Sequence, residues 1–144
     1  HELGFNYRMS DLQAALGLSQ LGRLEDVVNR RCELARRYEE CFVDLPIRCQ
    51  EVPPEVQSAR HLFVIRVLAE QHGNLFSSLL AAGIGVNLHY LPVHMQPYYR
   101  QLGFTVGSFS EAEAYGREAI TLPLYPAMDN QQQNYIIDVL TRLI

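Results

Sequence analysis

Hydrophobic and polar positions alternate with a helical period in the first third of the chain and form short apolar runs after it. The clearest helical signal begins at Arg23, where apolar side chains recur about every 3.6 residues and define one face of a long helix. The positions on this face are Leu24, Val28, Cys32, Ala35, Tyr38 and Phe42. Upstream, Ser10 and Gln13 have the spacing of a capping box, which predicts a first helix that breaks near Gly22.

The polar face of the long helix carries acidic and basic residues four positions apart. Asp26 with Arg30 and Glu33 with Arg37 are expected to pair on the outer surface, at about 0.2–0.5 kcal/mol for each pair. The arginine density of this helix also suggests RNA binding, but the interleaved acidic residues favour a solvated face.

Apolar runs after Pro46 predict short strands at residues 61–68, 84–88 and 119–124. Helix starts are indicated by Asn74, by Pro97, by Ser110 with Glu113, and by Asp129 with Gln132. The last helix is expected to direct inward Ile136, Val139, Leu140 and Leu143. This order predicts an α/β fold of the α+β layer type, a small sheet packed with helices and preceded by a long helix.

The composition excludes several classes of function. Twelve basic and sixteen acidic residues give a net charge of −4, which suits neither nucleic acid nor an anionic membrane. Apolar stretches such as residues 79–86 are far shorter than the ~20 residues that span a bilayer. No basic-then-apolar leader opens the sequence, so we expect a cytoplasmic protein without membrane or nucleic-acid partners.

All twelve basic residues are arginine, and the sequence contains no lysine. Lysine supplies the amine for Schiff-base catalysis and for phosphate binding in P-loops. Mechanisms that need this amine are therefore excluded for this chain alone.

Three cysteines occur, which is an odd number. Cys32 and Cys41 lie in the predicted long helix, roughly 13 Å apart along its axis, whereas a disulfide needs Cα atoms within about 7 Å. No CxxC motif accompanies these residues or Cys49, so reduced thiols are expected.

Asn6, Tyr7 and Arg8 immediately precede the first capped helix. A helix N-terminus favours anions, and an amide with a guanidinium beside it could contact a phosphate or a carboxylate. The alternative is that Asn6 turns the chain and Arg8 is solvated.

His89, Tyr90 and His94 follow the second predicted strand, where ligands often bind in α/β proteins. The two imidazoles and the phenol could hydrogen-bond a polar or phosphorylated small molecule. A metal site is not expected, because the loop has no acidic or thiol partner. The alternative is a packed loop with structural histidines.

Four segments occur in order along the chain: ELGFNYRMSDLQAALGLSQLGRL, SARHLFVIRV, GIGVNLHYLPVHMQPYYRQLGF and EAITLPLYPAMDNQQQNYIIDVL. Together they resemble pyridoxal-phosphate aminotransferases of the DegT/DnrJ/StrS type, which act on nucleotide-linked sugars. The third segment is most similar to the transaminases that make UDP-linked 4-amino-4,6-dideoxy-N-acetyl-altrosamine, a precursor of pseudaminic acid.

The resemblance implies the C-terminal portion of a fold-type I pyridoxal-phosphate transferase. Residues 1–45 would form the end of the large domain and the interdomain linker helix, and residues 46–144 the small domain. In the family, the cofactor-binding lysine lies upstream in an SxHxxK motif, in agreement with its absence here. Phe5 replaces the more usual tyrosine, a mild departure.

The resemblance also implies residue roles. Family members are dimers with the active site at the subunit interface, and an Asn of the NYR segment reaches the cofactor phosphate of the neighbouring subunit. Asn6 matches that position, and Arg8 would contact the phosphate or the carboxylate of the amino donor. The residues expected near the sugar nucleotide are Tyr7, His89, Tyr90 and His94.

The implied reaction is amino transfer from glutamate to a 4-keto-sugar nucleotide by a homo-oligomer with pyridoxal phosphate. This chain alone is expected to be inactive and not to bind the cofactor. One alternative is a non-catalytic binding or assembly module that retains the fold. Another is a His-based metalloenzyme, which predicts stoichiometric metal in the purified protein.

Overall fold

The computed structural model describes residues 7–144, which form helices and a three-stranded antiparallel sheet of order β1-β2-β3. The α-helices are α1 (Asp11–Leu21), α2 (Leu24–Cys41), α3 (Ala69–Ala81), α4 (Pro97–Gln101), α5 (Ser110–Glu118) and α6 (Asn130–Leu143). A 3-10 helix spans Val93–Met95. The strands are β1 (Arg48–Cys49), β2 (Phe63–Arg66) and β3 (Ala119–Leu122).

The central strand β2 pairs with β1 on one side and with β3 on the other. Ile65 lies opposite Ile120, and Phe63 lies opposite Leu122. Residues opposite one another in a ladder share a face of the sheet, and these four side chains are all buried. The predicted α+β layer with a small sheet is therefore confirmed.

The core lies between the sheet and helices α2, α3 and α6. At its centre, the ring of Tyr38 lies 4.9 Å from that of Phe63 and 5.4 Å from that of Phe42. The Tyr38 hydroxyl donates to the carbonyl oxygen of Pro123 at 3.1 Å, as a buried phenol requires. Burial raises the pKa of Tyr38, so this phenol stays neutral and keeps its hydrogen bond.

Two arginines of α2 bind backbone carbonyl groups of later connections. Arg31 Nη1 donates to the oxygens of Leu124 at 2.9 Å and His61 at 3.0 Å, and Arg30 Nη2 donates to that of Met128 at 2.8 Å. The long helix therefore tethers the chain before β2 and after β3.

The predicted pairs Asp26–Arg30 and Glu33–Arg37 are wrong. Arg30 pairs with Glu33 at 3.2 Å, and Arg37 donates to Gln133 Oε1 on α6 at 3.1 Å. The flank of α2 that was expected to face solvent packs beside α6, so Arg37 finds a fixed acceptor there.

One predicted helix start and one predicted helix cap are wrong. Helix α3 begins after Leu68, five residues before the predicted cap Asn74, and His72 in its early turns hydrogen-bonds to a carbonyl oxygen of β3 at 3.0 Å. Helix α5 begins at Ser110, as predicted, but Ser110 makes no capping hydrogen bond, and the Glu113 side chain instead accepts the N–H groups of Gly107 and Phe109. Tertiary contacts override the local signal at both positions.

The predicted strand at residues 84–88 is reduced to one bridge between Asn87 and Thr121, so this segment touches β3 at a single point. The third strand of the sheet is instead β1, which lies in the connection between α2 and β2, where no strand was predicted.

The first and last helices match their predictions. Ser10 with Gln13 and Asp129 with Gln132 both form capping boxes, and α1 ends before Gly22. The expected inward position of Leu143 is wrong, since 43% of its surface is exposed. Within residues 7–144, we find no helix with the length and apolarity needed to cross a membrane.

Candidate functional site

The N-terminal candidates precede α1. Asn6 lies outside the described residues. Tyr7 is 91% exposed, and Arg8 is also exposed. The Ser10 side chain accepts the Gln13 N–H at 3.3 Å and so occupies one donor of the helix N-terminus. Arg8 and the remaining donors of α1 therefore face open solvent in this chain.

The second group of candidate site residues lies on residues 89–95, called here the histidine loop. His89 Nδ1 lies 2.9 Å from Thr121 Oγ1 of β3, and no described residue hydrogen-bonds to its Nε2. The ring of Tyr90 packs edge-on against that of His89 at 4.8 Å and is 72% exposed. The loop thus presents an oriented imidazole beside an exposed phenol.

His94 has a different environment. Its side chain is 6% exposed, and its Nε2 lies 2.9 Å from Glu113 Oε1, whose side chain is 7% exposed. Burial by itself would raise the pKa of Glu113, but hydrogen bonds from the Gly107 N–H, from His94 and from the Phe109 N–H outweigh it, so the pKa is lowered. The buried carboxylate is therefore held in its charged form.

Aromatic side chains flank the His94–Glu113 pair. The rings of Tyr99, Phe104 and Phe109 form a chain with centroid spacings of 6.4 and 6.0 Å, and Phe109 lies 5.0 Å from His94. They line an apolar pocket of about 360 Å³ together with Val93 and Ala112.

A cavity of about 770 Å³ lies on the sheet face that carries Val64 and Arg66, and Tyr115 of α5 lines it. At its edge, Glu118 Oε2 accepts hydrogen bonds from Arg48 at 2.7 Å and from Arg66 at 2.8 Å. The two guanidinium groups share the Glu118 carboxylate, and Glu51 also lines the cavity.

The structure brings some of the predicted residues together and separates others. His89 and Tyr90 share a ring contact, whereas no ring contact or hydrogen bond among the described residues joins His94 to either of them. Arg8 makes no hydrogen bond to the histidine loop within the described part of the chain.

Among residues 7–144, no group of three His, Cys, Asp or Glu side chains is placed to hold a metal ion. Cys32, Cys41 and Cys49 are free thiols. The pKa of Cys49 is raised, chiefly by burial and also by Glu39, so its thiol is not activated as a nucleophile.

Sequence reasoning missed two side chains that contact the histidine loop, Glu113 and Tyr115. Glu113 was assigned to a helix cap, and Tyr115 had no motif to mark it. No sequence signal marked either contact, because both side chains reach the loop from a later helix.

The fold and the loop define a small domain with an oriented polar group at its surface, and comparison with known proteins identifies its family. The family model described as the DegT/DnrJ/EryC1/StrS aminotransferase family matches residues 1–141. The chain therefore belongs to this family of aminotransferases.

Individual relatives agree with this assignment. The chain is 36% identical to the spore coat polysaccharide biosynthesis protein SpsC of Bacillus subtilis over 98% of its length. The apo-form of the putative sugar aminotransferase Spr1654 of Streptococcus pneumoniae superposes with a TM-score of 0.89 at 33% identity, covering 94% of this chain and 35% of that one. Helicobacter pylori PseC, an aminotransferase involved in pseudaminic acid biosynthesis, superposes with a TM-score of 0.89 at 26% identity. The superposition covers 99% of this chain and 39% of PseC.

The chain spans only 38% of the curated relative SpsC. Structures of Spr1654 also exist in a form with pyridoxal phosphate and in a form with pyridoxamine phosphate. The residues of this chain do not by themselves fit that cofactor, because the sequence has no lysine amine to bind its aldehyde.

Proposed function

We propose that this chain is the C-terminal portion of a pyridoxal-phosphate-dependent aminotransferase that transfers an amino group from glutamate to a 4-keto-sugar nucleotide. The observation that carries the proposal is the family match over residues 1–141, joined to an oriented His89 beside an exposed Tyr90. We place the protein in the cytoplasm.

The chain divides by function near residue 45. Residues 1–45 form the end of the large domain and the linker helix, and residues 46–144 form the small domain. The exposed leucines of α1 support this division, since a helix with so much apolar surface needs a partner outside this chain. In a homodimer, that partner is the large domain or the second subunit.

Two groups of residues serve the site. Asn6 and Arg8 contact the cofactor phosphate of the neighbouring subunit, and Arg8 is free of described partners, as such a contact requires. Tyr7, His89 and Tyr90 contact the sugar nucleotide, for which His89 Nε2 is a hydrogen-bonding group already fixed in direction. His94 serves the same ligand from within the loop, lining the apolar pocket beside it.

The sugar nucleotide is the UDP-linked 4-keto precursor of the altrosamine derivative found in pseudaminic acid synthesis. Support comes from residues 83–104, which resemble that type of transaminase, and from the similarity of the fold to PseC.

Catalysis is tested by reconstitution. The chain is mixed with a lysine-bearing large-domain portion of the family, pyridoxal phosphate, glutamate and a 4-keto-sugar nucleotide, and 2-oxoglutarate is measured. We expect 2-oxoglutarate in the mixture and none from the chain alone. Turnover by the chain alone would contradict the proposal, because it has no amine to bind the cofactor.

Ligand binding is tested separately by NMR titration of the chain with UDP-N-acetylglucosamine. Amide signals of residues 89–95 should shift, and His89→Gln should weaken the response about fivefold or more, as expected for a lost hydrogen bond. His61→Gln is the matched control, since His61 is an exposed histidine away from the loop. Equal responses in the two variants would exclude His89 from the site.

A further inference from the structure

Helix α5 contacts the histidine loop through side chains at both ends of the loop. The Tyr115 hydroxyl donates to the carbonyl oxygen of His89 at 3.1 Å. Two residues earlier on the same helix, Glu113 Oε1 lies 2.9 Å from His94 Nε2. The two contacts fix the first residue of the loop and the residue that lies five positions later.

Between these contacts the loop packs directly on the backbone of α5. A Cβ atom built on Gly116 would lie 2.9 Å from Pro92 Cδ and 3.2 Å from Cγ. A glycine inside a helix lowers its stability relative to alanine, and here the proline ring occupies the space that a side chain would need. Gly73, inside α3, has no atom within 4 Å of such a Cβ.

The Glu113 carboxylate joins three segments of the chain. Besides His94 it accepts the N–H groups of Gly107 at 2.7 Å and Phe109 at 3.4 Å. Because both side chains of the His94–Glu113 pair are buried, loss of either would leave the other without its partner. The pair therefore holds the end of the loop to α5 and to the preceding connection.

The tip of the histidine loop is exposed to solvent, while hydrogen bonds hold its ends. Thr121 of β3 fixes the His89 ring, and Tyr115 fixes the His89 carbonyl group. Tyr90 and Leu91 are 72% and 59% exposed. A loop with anchored ends and an exposed tip presents the groups at that tip in one arrangement, which lowers the entropy that a ligand must remove on binding.

We propose that Glu113, Tyr115 and Gly116 are positioning residues that hold the histidine loop so that His89 and Tyr90 meet the sugar nucleotide. The inference rests on the proposed function, because it gives the loop a ligand. None of the three residues touches that ligand. They act through His94, through the His89 carbonyl group and through Pro92.

Gly116→Ala tests the packing step. The added methyl group should displace Pro92 and shift the amide signals of residues 89–95 in the NMR spectrum of the ligand-free chain. Gly73→Ala is the matched control and should leave those signals unchanged, because its methyl group meets no atom. Unchanged loop signals in Gly116→Ala would overturn the inference.

Tyr115→Phe tests the anchoring step with a milder change. It removes one hydroxyl group and should weaken UDP-N-acetylglucosamine binding about threefold to tenfold. Tyr135→Phe is the control, since its hydroxyl donates to Ala82 at 2.8 Å, away from the loop. A purely structural role would lower the unfolding midpoint in both variants and leave the affinity of the folded chain unchanged.

The outcomes separate the two proposals. Loop signals that move together with a loss of affinity support the positioning role. Loop signals that move with unchanged affinity overturn it. If the unaltered chain does not respond to UDP-N-acetylglucosamine, the proposed function fails, and the free-state loop signals of Gly116→Ala alone decide whether α5 positions the loop.

Discussion

Helices α1 and α6 begin with the same local signal and end in opposite environments. Ser10 with Gln13 and Asp129 with Gln132 form equivalent capping boxes. Helix α6 buries four side chains in the core, whereas no residue of α1 is buried. A capping box thus determines where a helix starts but carries no information about what the helix packs against.

The distribution of apolar residues explains the difference. In α6, the buried apolar residues Ile136, Val139 and Leu140 form one stripe that faces the core. In α1, the exposed leucines fall on two sides of the helix, Leu12 with Leu16 and Leu18 with Leu21. Apolar residues on more than one side are typical of a helix that lies between other elements. We therefore expect a partner outside this chain to cover α1, as the proposed domain division requires.

The largest expected effect is the loss of stability when a leucine of α6 is truncated, compared with a leucine of α1. Leu140 is fully buried, so Leu140→Ala should lower the free energy of unfolding by about 2–5 kcal/mol, from lost burial and the cavity that remains. Urea denaturation followed by circular dichroism measures the change.

Leu16→Ala is the matched substitution in α1. Leu16 is 64% exposed, so this variant should change the free energy of unfolding by less than about 0.5 kcal/mol. Comparable losses in the two variants would mean that α1 is packed in this chain, contrary to the comparison.

A second effect concerns the polar contact between α2 and α6. Gln133 is fully buried, donates to the Leu34 carbonyl oxygen at 2.8 Å and accepts from Arg37 at 3.1 Å. Gln133→Leu keeps the volume but removes both hydrogen bonds, and should cost about 1–3 kcal/mol because Arg37 loses a fixed acceptor. Gln131→Leu, at an exposed position, is the control and should be nearly neutral. Equal unfolding midpoints would show that the hydrogen bonds contribute nothing net.

The elements that could be predicted from sequence are those with a local signal. The long helix, the two capping boxes and the strand at residues 119–122 follow from periodicity and from residue type. The pairing of β1 could not be predicted, because a two-residue strand has no periodicity and forms only when β2 offers it a partner. The start of α3 was lost for a related reason, since the contact between His72 and β3 lies far away in sequence.

The candidate site divides in the same way. The histidine loop was found from its place after a predicted strand and from its resemblance to family motifs, and its residues lie close together in sequence. Glu113 contacts the loop across 19 residues and Tyr115 across 26, so no local pattern joined them to it. Sequence reasoning located the oriented His89 and the exposed Tyr90 and missed the side chains that hold their loop.

A smaller effect is a loss of stability in acid that arises from Glu113. It should leave α1 unchanged. The lowered pKa of Glu113 means that its contribution to stability is present above the unfolded value of about 4.3 and is lost as the pH falls through the folded value. The groups facing this carboxylate are His94, at 2.9 Å, and Arg117, at 4.0 Å.

The measurement is the urea midpoint from neutral pH down to about pH 3, below the ordinary pKa of a glutamate. Glu113→Gln should lose part of the acid dependence, whereas Glu111→Gln, at an exposed position on the same helix, should keep it. Identical pH profiles for the unaltered chain and Glu113→Gln would contradict the assignment of a charged, hydrogen-bonded carboxylate.

The smallest effect tests the capping boxes themselves. Asp129→Ala removes an acceptor that lies 2.7 Å from the Gln132 N–H and should cost about 0.5–2 kcal/mol of global stability, because α6 unfolds with the core. Ser10→Ala removes the equivalent acceptor in α1 but should leave the urea midpoint unchanged, because α1 buries no side chain and unfolds by itself. Its loss should appear only as faster amide exchange in α1. If Ser10→Ala lowers the global midpoint as much as Asp129→Ala does, α1 is coupled to the core and the two helices are not the contrasting pair described above.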